Sequence, residues 1–403
     1  MSDNNSNKGP LSGIRVLDVG TMIAGPVVGT LLADFGAEVI KVEQPGSGDP
    51  LRGVGPQVNG EGLYWHVENR NKKSVTANLR VPDGQKILRG LARHVDVVVE
   101  NFRPGTMDRW NIGYDALAKE NPNLIMLSVS GFGQTGPYSQ RRAYDRIALA
   151  MGGLLNITGY PDRPPVRPGT AMADYQSAIL GAFSVMVAIY NRDAKGGTGQ
   201  HIDLSLFESI FRFTDILATA CDKVGMNRQR NGNMHFAAAP GDHFETSDGR
   251  FIVITVSANS VFESLASAME RPDLPKDPKF TSHAARWENI VEINGIVRDW
   301  IKNTPVEEVA SRLDKFNVAY AFIYSAEDIL ADPHYAARQS MMEIETEKAG
   351  LIKIQAPQPK FSATPAPPLK AAPTLGADTD SLLKSLLGMS ERELDDLRKA
   401  DII

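Results

Sequence analysis

The 403-residue sequence holds a single cysteine, Cys221. That excludes an intramolecular disulfide and a zinc site built from cysteines. The seven histidines are scattered, and no two stand four apart as a helical metal site requires, so no metal is expected. Excess charge of one sign is lacking too: 43 Lys and Arg against 48 Asp and Glu leave a formal net charge of −5. Without a global basic field, neither nucleic acid nor an anionic membrane is expected as a partner. No run reaches the roughly 18 consecutive apolar residues of a membrane span. The opening MSDNNSNKGP is polar, lacks the apolar core of a signal peptide and reads as a frayed tail. Together with the scarcity of cysteine, this leads to the expectation of a cytoplasmic, reducing location.

What is present is the composition of an ordinary enzyme-sized globular protein, 42% hydrophobic and 23% charged, with length enough for two domains. Apolar runs at Ile14–Val19, Glu38–Glu43, Val95–Val99 and Leu124–Val129 read as strands. Helical stretches such as Gly25–Phe35 and Gly84–Arg93 separate them. Near-continuous apolar strands alternating with helices predict a parallel sheet covered on both faces, a doubly wound Rossmann-like α/β domain. The character changes after about Asn231. HFETSDGRFIVITV predicts a hairpin around Ser-Asp-Gly, and helices are expected near Val261–Met269, Trp287–Ile301 and Pro305–Phe316, a smaller α+β unit. The Pro/Ala-rich stretch Ala356–Gly376 must run extended. Two short helices, Asp380–Leu387 and Glu391–Lys399, close the chain.

The turn after the first strand, Gly20 to Gly29, is glycine-rich, and Glu43 ends the second strand where a ribose-binding acid would stand. Its spacing is G-x4-G-x3-G, however, and a dinucleotide fingerprint needs two glycines flanking one residue. The small residues Gly20, Ala24 and Gly25 instead suggest a turn that lets some ligand lie close to the backbone. Basic residues cluster on segments that read as sheet-end loops: Arg70, Lys72, Lys73 and Arg80 in NRNKKSVTANLR, Arg103 and Arg109 in ENFRPGTMDRW, and Arg141, Arg142 and Arg146 beyond a glycine-rich stretch. In an acidic protein, three such segments at one sheet edge suggest a phosphorylated small ligand.

One carboxylate stands out. Asp174 is the only charge between Arg167 and Arg192, in a stretch of apolar helix-forming residues. Such an acid must be capped, paired or put to use. It is a helix N-terminal acid complementing the dipole, the partner of a buried arginine, or a nucleophile.

Six blocks in order, from GIRVLDVGTMIAGPVVGTLLADFGAEVIKVEQPGSGDPLR through NRNKKSVTANLR, VENFRPGTMDRWNIGYD, SGFGQTGPYSQRRAYD and ADYQSAILGAFSVMVAIYNRDAKGGTGQHIDLSL to PTLGADTDSLLKSLLGMS, resemble the class III CoA-transferase family. That family also contains formyl-CoA transferase, carnitine CoA-transferase and the α-methylacyl-CoA racemases. The resemblance implies an interlocked homodimer, each chain threading a hole in its partner. It also implies a large domain built from both termini: residues 1–205, a linker 206–235, a small domain 236–322, a linker 323–345, and 346–403 completing the large domain. It assigns Asp174 as the catalytic aspartate. Met22, Ile23 and Ala24 would line the CoA, and Arg80, Arg109 and Arg142, with Asn101 and Phe102 beside them, would hold its phosphates and adenine end. Two departures stand out: Gln44 where transferases often have arginine, and NGNMHFAAAPGDHF in place of a glycine-rich lid.

In the racemases a histidine precedes the aspartate of the block matching RRAYDRIA; here the pair is Tyr144-Asp145. Tyrosine, with an ordinary pKa near 10, is a poor acid–base replacement for histidine, and Tyr144 is expected to pack beside the acyl-CoA site. The reading is CoA transfer from an acyl-CoA to a carboxylic acid, a small dicarboxylate, with CoA as substrate and no tightly bound cofactor. The alternatives are α-epimerisation of an acyl-CoA, or acyl-CoA binding without catalysis.

Overall fold

The computed structural model describes residues 8–403; most of the polar opening segment lies outside the described residues. The largest sheet has six strands: β1 (Arg15–Asp18), β2 (Glu38–Glu43), β3 (Lys72–Thr76), β4 (Val97–Glu100), β5 (Ile125–Ser130) and β6 (His201–Ser205). They pair in the order β3-β2-β1-β4-β5-β6, every pair parallel. This is the doubly wound α/β fold that the alternating apolar runs predict. The order reverses between β1 and β4, which leaves a crevice beyond the carboxyl ends of those strands.

Burial on both faces explains the unbroken apolar runs: Val16 and Leu17, Val39 and Ile40, and Val97, Val98 and Val99 are all essentially inaccessible. On one face, α1 (Ala24–Ala33) packs with a later 24-residue helix, Met172–Lys195. On the other lie the Pro82–Ala92 helix and the C-terminal residues Leu382, Leu383, Leu394 and Ile402. The last residues of the chain thus finish the core begun by the first strands.

Two strands depart from the sequence expectation. NRNKKSVTANLR reads as a basic loop, yet Lys72–Thr76 forms edge strand β3. His201–Ser205 forms the opposite edge, β6. The partly exposed edge strand β6 tolerates polar residues, whereas β3 is largely buried and its Lys72 is paired with Asp18.

By internal contacts the chain divides into two compact units. The first comprises residues up to Leu155, Arg167–Gly225 and Ala336–Ile403; the second comprises Asn156–Val166 and Met226–Tyr335. In the second, β7 (Gly241–Glu245) and β8 (Phe251–Thr255) form the hairpin expected around Ser-Asp-Gly, and β9 (Tyr320–Phe322) pairs antiparallel with β8. Phe244, Ile252, Phe262, Leu265, Val297 and Leu313 make its separate core. NGNMHFAAAPGDHF belongs to this unit. The first unit gains a further hairpin, β10 (Met341–Glu345) with β11 (Leu351–Gln355). The Pro/Ala-rich stretch after it contains no helix or strand. It is tied down by side chains: the Pro373 carbonyl accepts from Trp65 Nε1 at 3.1 Å and from Arg52 Nη2 at 3.2 Å.

Candidate active site

At the β1/β4 crevice, the turns following β1, β2, β3 and β4 enclose a cleft of about 240 Å³. Gly20, Thr21, Gln44, Arg80, Phe102 and Trp110 are among its lining residues. Phe102 and Trp110 meet edge to face with centroids 5.3 Å apart, so one wall is aromatic. Exposed Arg80 and uncharged Gln44 stand along the same cleft. A cation beside an aromatic wall suits a phosphorylated ligand with a planar ring.

The turn after β1 is rigidly held. Asn101 Oδ1 accepts from Thr21 N at 2.8 Å, and its Nδ2 donates to Thr21 O at 2.8 Å. A Cβ added at Gly20 would come within 3.1 Å of Asn101 Oδ1, and one at Gly25 within 3.3 Å of its Cγ. The glycines therefore make room for Asn101, and Gly20 also lines the cleft. Met22 takes a left-handed φ of 65°. Its N–H donates to both carboxylate oxygens of Asp49, at 3.1 and 3.2 Å.

Two fully buried lysines support this turn. Lys72 Nζ donates to Asp18 Oδ2 (2.9 Å), the Pro26 carbonyl (2.7 Å) and Asn69 Oδ1 (2.9 Å), which uses all three of its hydrogens. Lys41 pairs with Asp49 at 3.0 Å and donates to the Gly20 carbonyl. Arg70 makes a two-pronged pair with Asp34 at 2.9 and 2.5 Å, and Lys73 binds Glu38 at 2.7 Å. The expected convergence of basic loops is corrected accordingly: of the four cations in NRNKKSVTANLR, only Arg80 lines the cleft. The others pair with carboxylates, buried Arg70 and Lys72 because a desolvated cation must be paired, Lys73 at the surface.

Met22, Ile23 and Ala24 follow the cleft turn into α1, with Ile23 and Ala24 buried. Arg109 directly precedes cleft-lining Trp110, is exposed and donates to Thr106 Oγ1 at 2.9 Å. Arg142 and Tyr144 are exposed on the segment after β5 and do not line the cleft; Tyr144 is 76% exposed.

Asp174 lies in the first turn of the Met172–Lys195 helix. Burial and the neighbouring charge of Asp145 push its carboxyl up to about 7, with no hydrogen bond or cation to lower it. It is not the partner of a buried arginine. Its place in the first turn is one where a carboxylate complements the helix dipole. Asp145 performs a comparable task, its Oδ1 accepting from Ala173 N at 2.7 Å.

Beside Asp174 is a hydrogen-bonded chain that no motif marks. Tyr175 Oη donates to Glu68 Oε1 at 2.6 Å, and Tyr64 Oη stands 3.1 Å from Tyr175 Oη. Tyr64 and Glu68 are four apart on α2 (Leu63–Asn69), hence on one face. That spacing was the only available signal. Burial raises the Glu68 carboxyl; burial and the negative charges of Glu68, Asp174 and Asp145 raise the Tyr64 hydroxyl. Among the described residues no group of three or more His, Cys, Asp or Glu could hold a metal ion.

The model of CoA-transferase family III matches residues 11–379. The chain is 41% identical to succinyl-CoA--D-citramalate CoA-transferase of Chloroflexus aurantiacus over 395 residues, 98% of each chain. It is 33% identical to human succinyl-CoA:glutarate CoA-transferase over 403 residues, 100% of this chain and 91% of the other. Among solved structures, a CaiB/BaiF family protein from Brucella suis superposes with a TM-score of 0.84 at 32% identity, covering 94% of this chain and 100% of that one.

Proposed function

The chain belongs to CoA-transferase family III and is a CoA-transferase, and we propose that it moves CoA from succinyl-CoA to a second small di- or hydroxydicarboxylic acid through covalent intermediates on Asp174. The observation that carries this reading is the state of Asp174: a half-buried, desolvated carboxylate with, among the described residues, neither cation nor hydrogen-bond donor. Such a group serves no ion pair, and its desolvation makes it a stronger nucleophile than a solvated acid. The choice of acids follows from the relatives named for succinyl-CoA with citramalate and with glutarate.

In the proposed sequence, Asp174 attacks the succinyl thioester carbonyl, giving a succinyl-aspartyl anhydride and CoA thiolate. The thiolate attacks the aspartyl carbonyl, forming an aspartyl-CoA thioester and releasing succinate. The acceptor carboxylate then attacks that thioester, the thiolate leaves, and it returns to the acceptor carbonyl of the new anhydride. Asp174 is regenerated and acceptor-CoA departs. Every addition creates an oxyanion that suitably placed N–H or O–H donors stabilise. The adenine and phosphate end of CoA would occupy the cleft of Arg80, Phe102 and Trp110, with Asn101 fixing the turn, Met22, Ile23 and Ala24 lining the path inward, and Arg109 and Arg142 assisting from exposed positions. Tyr144 would flank the acyl end. CoA is a substrate here, and no tightly bound cofactor enters the scheme.

The working unit proposed is a homodimer. Ile179, Phe183, Val187 and Tyr190 lie along one face of the Met172–Lys195 helix and are 54%, 65%, 51% and 59% exposed. The helix is long and apolar enough to cross a membrane by length and composition. Its opposite face, however, carries buried Ser177, Gly181 and Val185. A Cβ at Gly181 would meet Leu127 and Val28 at 3.0 Å, so that face is fitted to the sheet and α1. A second copy is the proposed cover for the outer stripe. Incubating the protein with succinyl-CoA and a panel of free acids tests the activity. A second thioester and free succinate are expected with dicarboxylates, and absence of a new thioester with any acid would reject the reading.

A further inference from the structure

We propose that Glu68 is a positioning residue for the transfer reaction: acting through Tyr175, it sets the direction of the Tyr64–Tyr175–Glu68 hydrogen-bond chain and so decides whether the Tyr64 hydroxyl offers a hydrogen to the Asp174 site. The inference rests on the proposed role of Asp174 and adds a control over the group beside it.

The chain's geometry allows two directions. Each tyrosine hydroxyl has one hydrogen. When Glu68 is ionised it only accepts, so Tyr175 donates to Glu68 across 2.6 Å, and Tyr64 donates to Tyr175 across 3.1 Å. The Tyr64 hydrogen is then committed away from Asp174. When Glu68 is protonated it donates to Tyr175, Tyr175 turns its hydrogen to Tyr64, and the Tyr64 hydrogen becomes free for an oxyanion or substrate carboxylate. No proton passes along the chain. Each hydroxyl rotates about its own C–O bond, and the one proton gained or lost is exchanged between Glu68 and solvent.

The surroundings place both states within reach. Glu68 is 6% exposed, and the cations near it are engaged: Arg70 by Asp34 and Lys72 by Asp18, Pro26 and Asn69. Burial raises its carboxyl, assisted by Asp34 at the end of α1, while the Tyr175 hydrogen bond and the charges of Arg70 and Lys72 oppose that rise. Tyr64 faces Tyr175, Glu68, Asp174 and Asp145. Tyr64, Met22, Ala171 and Met172 all pack against the core cluster that includes the helix carrying Asp174. A site that binds anions and presents three carboxyls gains twice from a protonated Glu68, through one charge fewer and one donor more.

The test pairs kinetics with a measurement that needs no turnover. In the wild type, kcat/KM for the acceptor acid should fall on an alkaline limb as Glu68 ionises. Glu68→Gln should lack that limb. Tyr64→Phe should lose about tenfold in kcat, the scale of one neutral hydrogen bond, and should also lack it. The double variant should be no worse than Tyr64→Phe alone. Separately, Asp174→Asn removes the other raised carboxyl near Tyr64. In that variant, free and with 13Cζ-labelled tyrosine, the Tyr64 and Tyr175 resonances should titrate together and should stay flat once Glu68→Gln is added. Circular dichroism and CoA binding establish that each variant is folded. An alkaline limb retained in Glu68→Gln, or tyrosine resonances that titrate without Glu68, would overturn the proposal. Absence of transfer in the wild type with intact coupled titration would instead count against the proposed function alone.

Discussion

Asp145 Oδ1 accepts a 2.7 Å hydrogen bond from the backbone N–H of Ala173, the residue before Asp174. One carboxylate thus fixes the first helical turn on which another is carried, and its charge also raises that neighbour's carboxyl. Structure and electrostatics are joined in a single contact.

Asp145→Asn keeps an oxygen acceptor for Ala173 N and removes the charge. The Asp174 carboxyl should then ionise at lower pH, moving the acid limb of the kcat/KM profile downward. Asp145→Ala should also lose the cap, at about 0.5–2 kcal/mol in urea unfolding. An acid limb unmoved in Asp145→Asn would separate Asp174 from that ionisation.

Asp174 makes a stability prediction with a definite sign. Its carboxyl is raised from 3.8 to about 7 in the folded protein. Between those values the unfolded chain has already released the proton that the native state keeps, so wild-type stability falls as pH rises through that window. Asp174→Asn, which cannot ionise, should gain stability relative to wild type between pH 5 and pH 8, on the order of a few kcal/mol. Paired unfolding curves at the two pH values check this. An equal difference at both would mean that Asp174 is not desolvated.

The CoA cleft predicts a ranking. Arg80→Ala should weaken CoA binding by about 1.5–3 kcal/mol, the scale of a charged hydrogen bond, with the melting temperature nearly unchanged because the side chain is exposed. Asn101→Ala should weaken binding and also destabilise the protein, since both Thr21 hydrogen bonds vanish. Lys72→Met should destabilise by about 3–5 kcal/mol, because it removes the buried cation that faces Asp18 and takes a donor from Asn69 Oδ1. Calorimetric titration with CoA beside thermal melts separates these effects.

How much of this was legible in the chain depended on which force left a periodic trace. β2 falls on Glu38–Glu43 and the last helix on Glu391–Lys399, as the sequence pattern predicts, because apolar burial and helix-end chemistry repeat along the sequence. β3 was hidden because Lys72, which reads as a surface charge, is fully buried among acceptors supplied by β1, α1 and α2. Two of those acceptors, Asp18 and the Pro26 carbonyl, are distant in the chain, and no local pattern announces them. Asp174 drew notice as an isolated charge in an apolar stretch. Tyr64, Glu68 and Tyr175 did not, because two tyrosines and a glutamate in ordinary helices acquire meaning only when α2 meets the Met172–Lys195 helix.

The exposed stripe of that helix predicts association. Sedimentation at nanomolar concentration should show a dimer, and Phe183→Glu should yield monomer or aggregate, since it puts a charge at a position that is 65% exposed in the single chain and would be covered in the proposed dimer. A wild-type chain that sediments as a folded monomer would contradict the proposed working unit.

The central claim is tested most directly by trapping. The protein is incubated with succinyl-CoA, quenched with hydroxylamine, digested and analysed by mass spectrometry. The account predicts a hydroxamate on Asp174 in the peptide that contains it, formed only when succinyl-CoA is present, and none in Asp174→Asn, which still binds CoA but no longer transfers it. Transfer that persists in Asp174→Asn, or a label on another residue, would contradict it.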